Sequence, residues 1–578
     1  MKITGNTGAK RQKVLYVSPR FTKSALITSM LRWLSSLTDQ RPLGSASGAR
    51  KFAASLDRDL FASADKVCDL LREFAAENED AKDLDPAPLI ELEKQVAEIS
   101  QRLERDFLAA SSQAHSLRNR LWESGYEWAM RFADAYRVLL ASIDVSPNPK
   151  LVGGYTRAAH ALISFRAMGY RYRLYRHEEW IPGNWRELNQ QFKRICELGL
   201  DHRPIPDGPD NTQSYPARMF VALLLLRLGN AGSYMPVQTR QLWEKLVEQT
   251  SDARLTARPS ADGGFVVDLS SAEGLQPRHS VPQGGHFLFC DTSAIYQRLM
   301  AWLDQAQRDT SGSTGTQGSA MTASINALRS AVLRIDPEFK PLERASQRNS
   351  DRGRLVAVYG LHKCAVAVGF EPHVVVPRLE GESYGYADAH EIQTLGLLRE
   401  STMKRLKRDL PPEVAKLALQ YWHLRDRSDT GYRCVMPNSG DQSIKLRDIA
   451  AVCEEGDHSV WQIAMIVRLL KLPAGHIELG LQVLTREADA LDIRSLRTKP
   501  NMYGNTTTTS ASSLFKVLRL KGAFFGRPIM DQSWIVSSAD YSAGVIYEAA
   551  ATSRKYEANT VIAEGSDWIW VQPTEIVR

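Results

Sequence analysis

The sequence lacks paired cysteines: Cys68, Cys196, Cys290, Cys364, Cys434 and Cys453 stand singly, with no CxxC and no histidine at ligand spacing. That excludes a disulfide framework and the common zinc centres, and it fits a reducing compartment. Catalytic signatures are missing too. There is no GxSxG and no HExxH, the twelve histidines lie apart, and Gly5-Asn6-Thr7-Gly8-Ala9-Lys10 lacks the spacing and preceding strand of a phosphate loop. Asp291-Thr292-Ser293 has serine where an aspartic-protease loop uses glycine, and it has no second copy. The chain reads as a binding protein with no enzymatic activity, metal or cofactor. Long hydrophobic runs are also absent. The longest, Met219 to Leu226, is too short to cross a bilayer, and the start MKITGNTGAKRQK has no signal-peptide core. A soluble cytoplasmic protein is expected. Acidic residues are missing from the first 38 positions, which hold Lys2, Lys10, Arg11, Lys13, Arg20, Lys23 and Arg32. Such a basic arm suits nucleic acid, an anionic membrane or an acidic partner, and equally a solvated terminus.

What the chain has is ordinary globular material. Its 578 residues, 43% hydrophobic and 24% charged, suffice for several domains. From Ser45 to Ile143 apolar residues such as Leu56, Leu60, Val67, Leu70, Leu71 and Phe74 recur at helical spacing, and Ser146-Pro147-Asn148-Pro149 is a stop. Arg157 to Leu200, Met219 to Leu228 and Gln238 to Gln249 add helices. Gly264 to Leu269 and His286 to Cys290 are short extended runs, and Gln307 to Ala323, rich in Ser, Thr and Gly, reads as a linker. Beyond it, Leu355 to Tyr359, Ala365 to Phe370, His373 to Pro377, Arg433 to Met436, Trp461 to Leu470 and His476 to Leu484 read as short strands of a small antiparallel barrel. Ala387 to Leu419 reads as a helical insertion. The predicted class is α+β: a mainly helical region over 1–306, a linker over 307–323, a barrel domain over 324–500 and a β-rich unit over 501–578.

Tyr170-Arg171-Tyr172-Arg173-Leu174-Tyr175-Arg176 interleaves aromatic and cationic side chains. Such a run can stack on single-stranded nucleic acid, or it can snorkel across a half-buried helix surface.

Two motifs carry the functional reading. Arg344-x-x-x-Arg348 precedes the first barrel strand, and Asp426-Arg427-Ser428-Asp429-Thr430-Gly431 follows within the β-rich region. Arginine forks can hold phosphate oxygens, read the O6/N7 edge of guanine and stack on bases, and lysine cannot do all three. Asp426 can accept hydrogen bonds from guanine N1 and N2, Ser428 can donate or accept, and Gly431 permits close backbone approach. Asp, Ser and Gly are also turn formers in any β protein, so the second motif can equally be a hairpin turn.

In the order arginine pair, β-rich run, DxSxxG, Trp461 to Arg468, Glu478 to Leu484, the region from Leu342 to Asp492 resembles the PilZ family. The resemblance implies a six-stranded barrel that binds cyclic di-GMP through Arg344, Arg348, Asp426, Ser428 and Gly431. The 78 positions between Arg348 and Asp426 exceed the family's compact spacing, with the Ala387 to Leu419 segment responsible. A shorter run, Asp540-Tyr541-Ser542-Ala543-Gly544, nearly repeats the second motif and hints at a duplicated unit. The expected function is that of a bacterial cyclic di-GMP receptor whose barrel binds the dinucleotide and relays it to a protein partner through the helical region. The alternatives are a scaffold with a barrel that no longer binds ligand, and a single-stranded nucleic-acid binder.

Overall fold

The computed structural model describes residues 41–576 except 111–113, 145, 206–213, 230–231, 252, 259–263, 279–285, 312–315, 337, 339–348, 351–352, 370–416, 418, 439–443, 456–460, 473–474, 501–505, 511–513, 522, 525–526, 529–532 and 566. The basic arm and nearly all of the Ala387 to Leu419 and His373 to Pro377 segments lie outside the described residues.

The first half is a helical body of α1 (Ala46–Ala54), α2 (Leu60–Glu77), α3 (Ala87–Ala109), α4 (His115–Ala141), α5 (Val152–Tyr175), α6 (Pro182–Glu197), α7 (Pro216–Gly229), α8 (Pro236–Gln249), α9 (Ser293–Ser311) and α10 (Thr316–Leu333). Local chemistry sets several starts. Ser45 and Asp59 cap α1 and α2 by accepting from the backbone N–H of Gly48 and Ala62. Pro182, Pro216 and Pro236 open α6, α7 and α8, where no intrahelical N–H bond is lost. Helix α7, apolar except for Arg218 and Arg227, runs through the core, buried from Pro216 to Leu226. A four-stranded sheet, β1 (Leu255–Thr256), β2 (Phe265–Asp268), β3 (Gln276–Pro277) and β4 (Phe287–Cys290) in the order β1-β4-β2-β3, joins the same core through Leu255, Phe265 and Cys290.

Two sequence motifs find structural explanations here. The Tyr/Arg run ends α5, and its rings face inward: Tyr170 lies 4.9 Å edge-on from Trp185, the Tyr175 hydroxyl donates to Glu104 at 2.6 Å, and Arg171 pairs with Glu104 at 3.1 Å. Rings already packed in a core cannot stack on bases, so this run gives no support to nucleic-acid binding. Asp291-Thr292-Ser293 is the start of α9. Asp291 accepts from the Ser293 N–H at 2.9 Å, and the buried Thr292 hydroxyl donates to the Ile335 carbonyl at 2.7 Å.

The expected linker over 307–323 is corrected. Helix α9 continues to Ser311 and α10 begins at Thr316. Composition misled because small polar residues tolerate a helix when a buried stripe anchors it, and Ile325, Leu328 and Val332 supply that stripe.

The second half contains two barrels. The first has β5 (Asn349–Ser350), β6 (Arg354–Tyr359), β7 (Gln420–Ser428), β8 (Gly431–Pro437), β9 (Ile449–Glu454), β10 (Gln462–Leu472) and β11 (His476–Thr485). Six strands close in the order β6-β7-β8-β11-β10-β9, all antiparallel, with β5 added beside β7. Closure leaves no open edge among these six. Leu355, Trp422, Leu424, Cys434, Ile466 and Leu479 fill the interior. Between β6 and β7 lies a helix, α11 (Leu361–Val368), where the sequence reading placed a strand from Ala365.

The second barrel has β12 (Glu487–Pro500), β13 (Thr506–Ser510), β14 (Phe515–Lys521), β15 (Ala523–Phe524), β16 (Arg527–Pro528), β17 (Ser533–Ser537), β18 (Ile546–Ala549), β19 (Lys555–Glu564) and β20 (Trp568–Glu575). Its closed order is β12-β14-β17-β20-β19-β18. Counting only barrel strands, both barrels follow the order 1-2-3-6-5-4, so one topology occurs twice. Sheet membership divides them at Arg486 rather than at 500, because β12 pairs with strands of the second barrel. The near-repeat Asp540 to Gly544 lies between the third and fourth strands, whereas DxSxxG joins the second and third, so the two are not equivalent.

Helix α11 is wedged between the barrels: Leu361, Cys364 and Ala365 share a cluster with Ile449 of the first and Leu518, Leu520 and Trp568 of the second. The helical body meets the first barrel at β10, where the N–H of Leu469 donates to the Gly232 carbonyl at 3.0 Å and that of Lys471 to the His177 carbonyl at 2.8 Å.

Candidate functional site

DxSxxG is a hairpin. Ser428 pairs with Gly431, leaving Asp429 and Thr430 as a two-residue turn, and the Ser428 hydroxyl donates to the Gly431 carbonyl at 3.3 Å. The barrel itself requires glycine at 431, because a β-carbon there would overlap the Leu481 carbonyl oxygen on β11.

A bulge sets which way the motif faces. Leu424 pairs with Cys434 and Asp426 with Arg433, so Arg425 is an extra residue in β7. One extra residue reverses the alternation: Trp422 and Leu424 point into the barrel, while Asp426 and Ser428 share the outer face with Arg433. That face continues as a row of cross-strand partners, Asp426 to Arg433 to Gly480 to Arg468, across four strands. The adjoining row runs Ser428, Gly431, Gln482. At 480 a β-carbon would come within 2.9 Å of the Arg468 β-carbon. The product is a shallow outer face floored by two glycines and edged by Asp426, Ser428, Gln482, Arg433 and Arg468.

Buried Glu478 holds the arginines, with oxygens 2.6 Å from Arg433 Nη2 and 3.4 Å from Arg468 Nη2. The Asp426 carboxylate stands 3.7 Å from Arg433 Nη1. The hydrogen bond to Glu478, more than any other influence, keeps the Arg433 guanidinium above its ordinary range.

Arg344 and Arg348 lie outside the described residues. The two residues that follow Arg348 are placed: Asn349 pairs with Arg427 and Ser350 with Asp426. Strand β5 thus continues the line of β6 along the same side of β7.

Two cavities flank the hairpin. One, about 310 Å3, opens at the barrel end between Arg427, Ser428, Asp429, Tyr432, Glu454, Gln462 and Arg486. Here Arg427 pairs with Glu454 at 2.9 Å, Arg486 donates to the Asp429 carbonyl at 3.2 Å, and burial pushes the Tyr432 phenol up. The other, about 550 Å3, separates the glycine-floored face from the helical body, with Ser428, Gly431, Arg468 and Gln482 on one wall and Ser233, Tyr234, Ser330 and Arg334 on the other. Its volume lies within the roughly 300–1,000 Å3 of small-molecule sites.

Of the residues singled out in sequence, Ser428 and Gly431 line the larger cleft, and Asp426 sits beside them in its ion pair but lines neither cavity. Sequence reasoning missed Arg433 and Arg468 as members of the face. The signal was present in Tyr432-Arg433-Cys434, one cation between two inward side chains, and in Glu478-Leu479-Gly480-Leu481-Gln482, whose alternate residues share the outer face. Among the described residues no group of His, Cys, Asp and Glu could hold a metal ion, and no helix is long and apolar enough to cross a membrane.

No curated protein and no solved structure matches the chain. A family model does match, in the helical body rather than in the barrel where the PilZ resemblance lies: residues 47–260 are similar to the family described as cyclic-di-GMP receptor FimW, N-terminal domain.

Proposed function

We propose that this chain is a receptor for cyclic di-GMP and that it binds the dinucleotide in the PilZ manner, on the outer face of the first barrel beside the β7–β8 hairpin. The observation that carries the reading is the pairing of Asn349 with Arg427 and Ser350 with Asp426. Consecutive α-carbons are about 3.8 Å apart, so Arg348 is bound covalently to a residue already fixed against the second motif. That relationship answers the long separation of the two motifs in sequence, because the intervening chain leaves β6 and returns as its neighbour β7.

In this reading Arg344 and Arg348 close over the ligand and hold phosphate or guanine, Asp426 accepts from guanine N1 and N2, Ser428 adds a short polar contact, and Gly431 keeps the floor low. The task is grip, without bond-breaking chemistry, in the cytoplasm. A match of the helical body to a family named as a cyclic di-GMP receptor supports the ligand from an independent part of the chain. Ordering of the arginine segment would then change the surface offered to a protein partner.

Calorimetric titration of the whole chain with cyclic di-GMP tests the reading. Saturable heat that disappears in the Arg344→Ala, Arg348→Ala double variant is expected. Absence of heat with the unaltered protein would favour the scaffold alternative, in which the hairpin serves only the barrel, a role that the tight fit of Gly431 already gives it.

A further inference from the structure

The basic segment that leads into the described residues has a counterpart on the helical body. A cavity of about 250 Å3 opens beside Arg41, between the short turn Pro42–Gly44, the last two turns of α2 and the start of α3. Its apolar lining, Leu43, Leu70, Phe74 and Leu84, is half-buried, and Glu73, Glu77 and Asp85 stand exposed around it. Asp85 also accepts from the Ala87 N–H at 3.0 Å. Among the described residues that line the groove Arg41 is the one cation, and it pairs with Glu77 at 3.6 Å. The groove is therefore apolar where it is half-buried, acidic where it is exposed, and already engaged by the first described arginine of the incoming chain.

Volume and charge narrow the occupant. At about 250 Å3 the groove falls below the roughly 300–1,000 Å3 of small-molecule sites, and it suits a few apolar side chains carried by a basic chain. Residues 1–40, which lie outside the described residues, have that chemistry: seven cations and no acidic residue up to position 38. Within them Leu26, Ile27, Met30, Leu31, Leu34 and Leu37 recur three and four apart, with Lys23 and Arg32 close by. Leu37 is four positions from Arg41, a span of at most about 14 Å. Covalent attachment thus keeps this stretch at high local concentration beside the groove. Nucleic acid matches the cations but not the apolar residues. An anionic membrane matches both, yet the acidic groove stands closer, at the point of attachment.

We infer that residues 26–37 dock in the groove beside Arg41 of the same chain, with apolar side chains against Leu70 and Phe74 and cations facing Glu73 and Glu77. The docked stretch covers apolar surface of the helical body and holds its cations away from nucleic acid and membranes. This contact is independent of the dinucleotide site on the first barrel.

The test uses the whole chain and brief digestion with trypsin, with cleavage after Arg32 followed by mass spectrometry. Glu73→Lys combined with Glu77→Lys changes the groove and leaves the cleavage site intact, and both positions are exposed, so the fold should hold. Glu98→Lys combined with Glu248→Lys, an equal charge change at exposed positions outside the groove, serves as control. Cleavage is expected to be about fivefold or more faster in the groove variant, because two attractions become repulsions and proteolysis follows the open population, and unchanged in the control. A further variant alters the segment alone: Leu31→Asp combined with Leu34→Asp should quicken backbone hydrogen exchange over 70–78. Equal cleavage in the unaltered protein, the groove variant and the control, with exchange over 70–78 unmoved in the segment variant, would overturn the docking. Protection that rises with protein concentration would also overturn it, by placing the segment on a second copy, and protection seen only when vesicles of anionic lipid are added would give the segment to a membrane instead.

Discussion

Gly431 and Leu481 touch across β8 and β11 so closely that the glycine has no room for a side chain. A residue that a ligand motif requires is here also required by the barrel wall, and the two demands have different signatures. Gly431→Ala forces the Leu481 carbonyl aside. We expect it to lower stability by about 1–3 kcal/mol, the usual cost of overpacking, in the absence of any ligand. Chemical denaturation of the unliganded variant measures this, and an unchanged midpoint would return the glycine to a purely ligand-binding role.

Tyr172 offers a similar separation. It is buried in the helical core, and a β-carbon on Gly125 would collide with its ring. Tyr172→Ala should cost about 3–5 kcal/mol, as large aromatic truncations do. It should leave unaltered any salt-dependent retention on single-stranded DNA. A variant that stays stable but loses retention would revive the nucleic-acid reading of the Tyr/Arg run.

The contrast between these positions shows what the sequence could reveal. Helical periodicity was plain in α2, the apolar run of α7 was plain as a run, and the alternation of β10 and β11 announced a barrel. The second barrel was visible only as scattered strands, because its closure pairs β12 with β18, strands that lie far apart in the sequence. The arginines of the outer face escaped notice for a different reason. Arg433 and Arg468 become neighbours only through Gly480, a relationship set by strand order and by the bulges at Arg425 and Val467. The linker over 307–323 failed because composition is silent about a buried stripe that begins further on.

His160 on α5 predicts a pH dependence. It is half-buried, its ring nitrogens 3.1 Å from the Ser214 hydroxyl and 3.4 Å from that of Ser164, and loss of solvation there, aided by Arg218 and Arg157, lowers its pKa to about 4. The unfolded chain takes up this proton near 6.5, its ordinary value. Its neutral form therefore contributes fully above pH 6.5, and that contribution drains away as pH falls towards 4, by about 3 kcal/mol in all. Denaturant midpoints measured from pH 7 to 4 should fall less steeply in His160→Gln, by about one proton's worth of slope. Equal slopes would mean that the imidazole is solvated.

Asp426 and Arg433 allow the ligand role to be read apart from stability. Their ion pair is long, 3.7 Å, and Arg433 keeps its shorter bond to Glu478 when Asp426 is altered. An open pair of this kind contributes about 1 kcal/mol or less, so Asp426→Asn should melt within a few degrees of the unaltered protein when no ligand is present. With cyclic di-GMP at a hundred times its dissociation constant, the unaltered protein should gain about 2.7 kcal/mol by mass action. Asparagine still offers one carbonyl acceptor but turns an N–H donor towards the guanine edge, where two donors already point. Most of the ligand-induced rise in Tm should therefore vanish in Asp426→Asn at the same ligand concentration. A full rise in that variant would show that the carboxylate faces Arg433 alone and that the guanine lies elsewhere on the glycine floor.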